Sequence, residues 1–217
     1  MLATCVVFFA STTSTAWAAN VSVVHGIDGR DVGQAKALPV DIAVNGACAL
    51  KGVRFKESTI VELAPATHTI TVHLADGSCS QPAIITKQVT ITEGVRVYSA
   101  VASLSSNGRP QLAVFNVSEL FLPSTVAVRH LAKAGSVAVK FSSPELRSSQ
   151  INRIRNGQQS TLGVLTNRLP YTANIYPGTS RRSIARLTGV GRTKYTIYNI
   201  VGSKNNGFTI ISERLAP

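Results

Sequence analysis

The chain has 217 residues, a formal net charge of +12 and only 15% charged residues. That length admits one or two domains. Abundant Ser, Thr, Val and Ile favour strands and polar loops over helices, and beyond the N-terminus no apolar run approaches membrane-spanning length.

The N-terminus reads as a secretory leader. Leu2 to Ala10 is an apolar run of h-region length, a Ser/Thr stretch follows, and Ala16-Trp17-Ala18 offers small residues at the two positions a signal peptidase reads. No Lys or Arg precedes the run. A signal peptide over residues 1–19, with a mature chain starting near Asn20, is the expectation. Cys5 would leave with the leader. Cys48 and Cys79 would then form an even pair in an oxidising compartment and are expected to be disulfide-bonded.

Val21 to His25 opens a series of β segments. Val40, Ile42 and Val44 alternate with Asp41, Ala43 and Asn45 and predict a half-buried strand ended by Asn45-Gly46. Short stretches at Val53–Phe55 and Ile60–Leu63 follow. Ile70, Val72 and Leu74 predict another strand, stopped by Asp76-Gly77. Strands are further predicted over Ile84–Ile91, Val95–Leu104 and Gln111–Asn116, making seven or eight.

The series then repeats. Val126 to His130 matches Val21 to His25, and Val137, Val139 and Phe141 match the Val40 strand. Tyr171, Ala173 and Ile175 alternate before Pro177-Gly178, and a strand is predicted over Ile184–Val190. Tyr195-Thr196-Ile197-Tyr198 lines up with Tyr98-Ser99-Ala100-Val101, and Asn206-Gly207 with Asn107-Gly108. Ser143-Pro144-Glu145-Leu146 lacks an apolar stripe and reads as loop or one turn. The chain is therefore expected to be all-β, with two tandem antiparallel β-sandwich domains at 20–122 and 123–217. The joint at Phe121 to Ser124 is short and partly apolar, which predicts modules that pack together.

Val-Val-His at 23–25, Leu38 to Gly46, and the strand start from Gly94 to Tyr98 resemble the bacterial extracytoplasmic domain-of-unknown-function family 4397. The likeness covers most of the first module. It thins in the second, where Val137-Ala138 replaces Val40-Asp41. The resemblance implies an exported protein of tandem immunoglobulin-like modules and supplies no site residues.

Charge separates the two modules. Residues 1–125 hold 8 Lys/Arg and 8 Asp/Glu, whereas residues 126–217 hold 14 Lys/Arg against Glu145 and Glu213. Arg147, Arg153 and Arg155 fall in one apparent loop region, Arg181, Arg182 and Arg186 in another, followed by Arg192 and Lys194. Arginine favours bidentate pairing with carboxylate or phosphate. These eight are the anion-binding candidates, and a solvated basic face is the competing explanation. Lipopolysaccharide phosphates, an acidic exopolysaccharide or an acidic envelope protein would suit them. Nucleic acid is not expected, since RNA-binding aromatic motifs are absent.

Catalytic patterns are lacking. None of His25, His68, His73 and His130 accompanies a Gly-x-Ser-x-Gly elbow. His25 and His130 occupy matching repeat positions, which points to a structural role. His68 and His73 are five apart on one strand and so face opposite sides. His25 with Asp28 and Asp31 matches no calcium loop, and Gly189 to Thr193 lacks the ending of a phosphate loop. No catalytic residue, metal or cofactor is expected. The expected function is non-enzymatic: an exported structural or adhesive protein whose basic module docks an anionic partner. The alternatives are a carbohydrate-binding module, with Tyr171, Tyr176, Tyr195 and Tyr198 as a stacking platform, or an accessory subunit of an envelope complex.

Overall fold

The computed structural model describes residues 17–117, 125–142, 150–164, 170–178, 182–190 and 196–213. Within them the first half contributes β1 (Ala19–His25), a single 3-10 turn (Gly29–Val32), β2 (Val40–Val44), β3 (Ala47–Val53), β4 (Ser58–Leu63), β5 (Ala66–Leu74), β6 (Ala83–Ile91), β7 (Val97–Leu104) and β8 (Pro110–Asn116). The second half contributes β9 (Thr125–His130), β10 (Val137–Ser142), β11 (Gln150–Ile154), β12 (Gln158–Val164), β13 (Pro170–Pro177), β14 (Ala185–Val190), β15 (Thr196–Ser203) and β16 (Gly207–Glu213). The joint at Phe121 to Ser124 and the Ser143 to Leu146 segment lie outside the described residues.

The strands form four four-stranded sheets: β4-β1-β7-β8, β3-β2-β5-β6, β12-β9-β15-β16 and β11-β10-β13-β14. Adding eight to each strand number of the first half reproduces the order in the second, so the repeat read in the sequence is a repeat of topology. Pairing is antiparallel except between β1 and β7 and between β9 and β15. An immunoglobulin constant-type sandwich sets its first two strands side by side. Here β1 lies between β4 and β7, while β2 lies between β3 and β5 in the facing sheet. The two-layer sandwich is as expected, and its strand order is a different one.

Each half has its own core. Val21, Val23, Tyr98 and Ala100 meet Val40, Ile42, Ile70, Val72 and Val89 in the first. Val126, Val128, Tyr198 and Ile200 meet Val137, Val139, Phe141, Tyr171 and Ile175 in the second. Two further apolar clusters join the halves. Val24 and Val101 pack on Leu131, Val201 and Ile211, and Val97 and Val117 pack on Ala127 and Ile197. The sheets containing β1 and β9 therefore lie face to face, and the molecule is a stack of four sheets with two inner and two outer layers. Gly26 lies at this seam, where an added Cβ would come within 2.8 Å of both the Ala102 carbonyl oxygen and Val201.

The seam also corrects the repeat alignment. Arg129 pairs with Asn199 across β9 and β15, as Val24 pairs with Val101 across β1 and β7. Matching His25 with His130 makes Tyr198 the counterpart of Ala100, not of Val101. A slip of one residue exchanges the two faces of a strand. Tyr198 accordingly points into its own core, whereas Val101 points into the seam.

Inside the seam Arg129 and Glu213 form an ion pair with both side chains out of solvent, Nη1 standing 3.0 Å from Oε1. Ser99 of the first half accepts from Arg129 Nη1 at 2.7 Å and donates to Glu213. Asn199 also donates to Glu213, Arg129 Nε donates to Gln159 at 2.8 Å, and the guanidinium lies 4.1 Å from the centre of the Phe115 ring. Burial pushes the Arg129 pKa down to about 10, against the pull of Glu213, so the guanidinium stays charged.

Removing one member strands the other charge in an apolar seam, which costs about 3–5 kcal/mol. Arg129→Met should lower stability by that amount in equilibrium denaturation of the full chain. Arg129→Met combined with Glu213→Leu should recover most of the loss.

Candidate functional site

The four histidines are held by partners within their own halves. His25 Nε2 donates to the Leu38 carbonyl at 2.7 Å and Nδ1 accepts from Ile27 N at 3.4 Å. His130 repeats the arrangement, with Gly135 O and Ala132 N as partners. Both rings brace the turn that leaves the opening strand. Burial holds both imidazoles below their ordinary pKa, against the pull of carbonyl partners. His68 and His73 are bound separately, to Asn45 and the Ala64 carbonyl and to the Gln81 carbonyl and Thr71.

Asp28 caps the 3-10 turn and pairs with Arg30 at 2.7 Å, while Asp31 accepts from Ser203 and Asn206 of the second half. His25, Asp28 and Asp31 thus have different partners and form no common site. The Arg30 side chain draws Asp28 below the usual carboxylate range.

Cys48 and Cys79 are disulfide-bonded across 31 residues. Beside them Asp41 is fully buried and accepts from the backbone N–H groups of Gly52, Asp76 and Gly77 at 2.7–2.9 Å. Burial pushes its pKa up, but these N–H groups, with that of Cys79, outweigh it and hold it down. Asp41, Cys48 and Cys79 lie close enough to share an ion, yet the sulfurs are spent on each other and the carboxylate on backbone. The group is a brace for the β2–β3 and β5–β6 connections.

The basic candidates divide. Arg147, Arg181, Arg192 and Lys194 lie outside the described residues. Arg153 and Arg186 are exposed at the two edges of the outer sheet: Arg186 on β14, inside the strand predicted over Ile184–Val190, and Arg153 on β11 rather than in a loop. Arg155 is exposed just beyond β11, and Arg182 is exposed before β14.

The sheet register shows what these positions share. Lys140 pairs with Asn174 and Asn174 with Arg186, so one row crosses β10, β13 and β14. The next row runs Arg153, Ala138, Tyr176. Burial alternates along β10, with Val137, Val139 and Phe141 inside, so Ala138 and Lys140 point outward. Lys140, Arg153 and Arg186 therefore stand on one open face with Asn174 and Tyr176 half-buried among them. In the first half, the row matching Lys140–Asn174–Arg186 is Ala43–Thr71–Thr86. The topology is retained and the charge is new.

Lys140 escaped the sequence reading because it sits inside an alternating strand, apart from the arginine groups. Its outward parity was the available indication.

The aromatic platform is smaller than expected. Tyr171 and Tyr198 are core residues whose hydroxyls bond to one another. Tyr195 lies outside the described residues, which leaves Tyr176.

No family model matches this chain, and none of the curated proteins matches it.

The histidine braces set a pH window. A folded pKa below the unfolded value of 6.5 gives stability that is full above 6.5 and lost as pH falls toward the folded value. Unfolding midpoints should therefore be level above about pH 7 and drop as pH falls below 6.5. A second loss, from Asp41 and Asp28, should begin only below the ordinary carboxylate value of 3.8. In His25→Gln/His130→Gln the first step should vanish, whatever the absolute stability.

Proposed function

We propose that this is an exported, non-enzymatic binding protein of two tandem sandwiches, residues 20–122 and 123–217, whose basic second half docks an anionic polymer of the cell envelope. The observation that carries the reading is the outer face of the second half, where Arg153, Lys140 and Arg186 place a cation on three of the four strands. Neighbouring strands are about 4.8 Å apart, so an extended polyanion lying across them would meet charge after charge.

A solvated basic face is the competing explanation, and charged edge strands are a common guard against edge-to-edge pairing. That accounts for Arg153 and Arg186. It does not account for Lys140, which stands on the internal strand β10, nor for the neutral Ala43–Thr71–Thr86 row on the other half. Glu213 is buried with Arg129, which leaves Glu145 as the second half's remaining acid.

Export draws support from the leader-like N-terminus, from the disulfide and from the family 4397 resemblance of the first half. Among the described residues no helix is long and apolar enough to cross a membrane. A carbohydrate platform retains only Tyr176, which would add one stacking contact to a charged site.

The full chain should bind an acidic polysaccharide saturably, with affinity falling steeply from low to physiological salt as screening shortens to about 8 Å. Arg153→Glu/Arg186→Glu should weaken binding about tenfold or more, the loss of one or two charge-assisted contacts. Lys51→Glu/Lys87→Glu, an equal charge change on exposed positions of the first half, should leave it nearly unchanged. Equal losses in the two variants would reduce the basic face to general surface charge. Binding to an acidic envelope protein but not to the polysaccharide would change the partner class.

A further inference from the structure

At one end of the second half, the turns after β9, β13 and β15 enclose a cleft of about 970 Å³. Lys133, Lys204 and Arg182 line it, one from each connection, over an apolar floor of Ile184 and Phe208. No acidic side chain is among its described lining residues. Ile184 and Phe208 also pack against the core of the half.

The walls are tied to each other and to the first half. Lys133 N donates to Gly202 O, Gly178 N to Ser136 O and Ile184 N to Ile175 O, each at 2.7 Å. Asp31, from the 3-10 turn of the first half, accepts from Ser203 Oγ at 2.5 Å and from Asn206 Nδ2 at 2.6 Å. Arg30 donates to the Asn206 carbonyl at 3.1 Å. Asp31 thus grips both ends of the turn that carries Lys204. The end of the Lys133 side chain lies over Gly108 of the first half, where a Cβ would fall 2.7 Å from Cε and 2.9 Å from Nζ. Positive φ at Gly108 favours glycine.

We propose that this cleft is a discrete binding site for a sugar carrying a carboxylate or phosphate, and that the first half builds it through Asp31. Lys204 and Arg182, from separate connections, bring two cations to the lining, with Lys133 at its edge over Gly108, and the Phe208 and Ile184 side chains of the same lining suit the C–H face of a sugar ring. The volume fits one or two sugar units rather than a polymer lying along a face. The ligand class rests on the polyanion reading of the second half; the location does not, since Lys133 and Lys204 are remote in sequence from the Arg153 and Arg186 row.

The test uses the full chain, 15N-labelled, titrated with digalacturonate, galactose 6-phosphate, a neutral galactose disaccharide and AMP. Saturable shifts are expected at the amides of Gly135, Gly178 and Gly207 with digalacturonate or the sugar phosphate, and the stronger of the two names the anionic group. The neutral disaccharide should leave these amides in place. Lys204→Gln and Arg182→Gln should each weaken binding about tenfold, the worth of one charge-assisted hydrogen bond.

Asp31→Asn separates a built site from attraction by charge. It makes the protein more positive, so simple attraction predicts equal or tighter binding, whereas loss of the clamp predicts weaker binding. Ser203→Ala loosens the same turn without changing charge and should also weaken binding, with a dispersed spectrum showing that each variant is folded. Shifts centred on Arg153, tighter or unchanged binding in Asp31→Asn, or binding of AMP in place of the sugars would overturn the proposal. Those outcomes are independent of whether Arg153→Glu/Arg186→Glu loses the polymer.

Discussion

Arg129 and Glu213 sit where neither can reach water. The assembly meets Arg129 Nη1 and Nε and the Glu213 carboxylate with hydrogen bonds, while Arg129 Nη2 is left without one among the described residues. Ser99 and Phe115 come from the first half, Asn199 and Gln159 from the second, and all surround one guanidinium. Desolvating two charges costs several kcal/mol each, and their attraction offsets that only when geometry and hydrogen bonds are good. The consequence lies in what the pair forbids. The apolar contacts of the seam, Val24 and Val101 on Leu131 and Val201, would tolerate sliding by a strand or by a residue. Sliding would separate Arg129 from Ser99 and Phe115 and leave charge buried among valines. The register of the halves is thereby set, and with it the position of Asp31 beneath the Ser203 to Asn206 turn.

Strands with one wet face were legible: Val137, Val139 and Phe141 announce β10 by strict alternation. Val40, Ile42 and Val44 alternate with Asp41 and Ala43 as a half-buried strand would, but β2 is buried on both faces, its polar position being the braced Asp41. β7 and β15 are buried along nearly their whole length on both faces, so alternation does not mark their faces. With no polar face to fix the phase, aligning Tyr195 with Tyr98 was one residue out. β11 and β12 were missed for another reason: Ile151, Asn152 and Arg153, then Gln158 to Thr161, mix polar and apolar residues as a loop does. They are edge strands of their sheets, where charged and polar residues are admissible. Arg153, which looks like a loop residue in one dimension, is an edge residue in three. The disulfide was legible from cysteine arithmetic. The buried role of Asp41 was not, because its partners are backbone N–H groups, that of Gly52 on β3 and those of Asp76 and Gly77 some 35 residues on.

The duplicated halves have diverged by exchange of polar duties. In the first, Asp41 and the disulfide secure the connections beside β2 and β5, and the outer row is Ala43, Thr71 and Thr86. In the second, Ala138 occupies the position of Asp41 and neither cysteine has a counterpart, while Lys140, Asn174 and Arg186 fill the matching row. A face relieved of bracing turns is free to carry charge. The histidines recur because each ring ties the chain just beyond its opening strand to a carbonyl ahead of the next strand, 13 residues on at His25 and 5 residues on at His130, although the connections themselves differ.

Burying the inner sheets against one another also decides where function can reside. Two of the four sheet faces that a pair of separate sandwiches would expose are lost to the seam. The remaining two are the outer faces, at opposite ends of a four-layer stack. Packed sheets are about 10 Å apart, so the outer faces stand roughly 30 Å from each other, several screening lengths at physiological salt. The threonine-rich face therefore neither adds to nor cancels the field of the basic one. What the first half can do for binding is mechanical. It holds the turns at the end of the second half through Asp31, Arg30 and Gly108, and the seam that holds those three residues in place is the one that Arg129 and Glu213 keep in register.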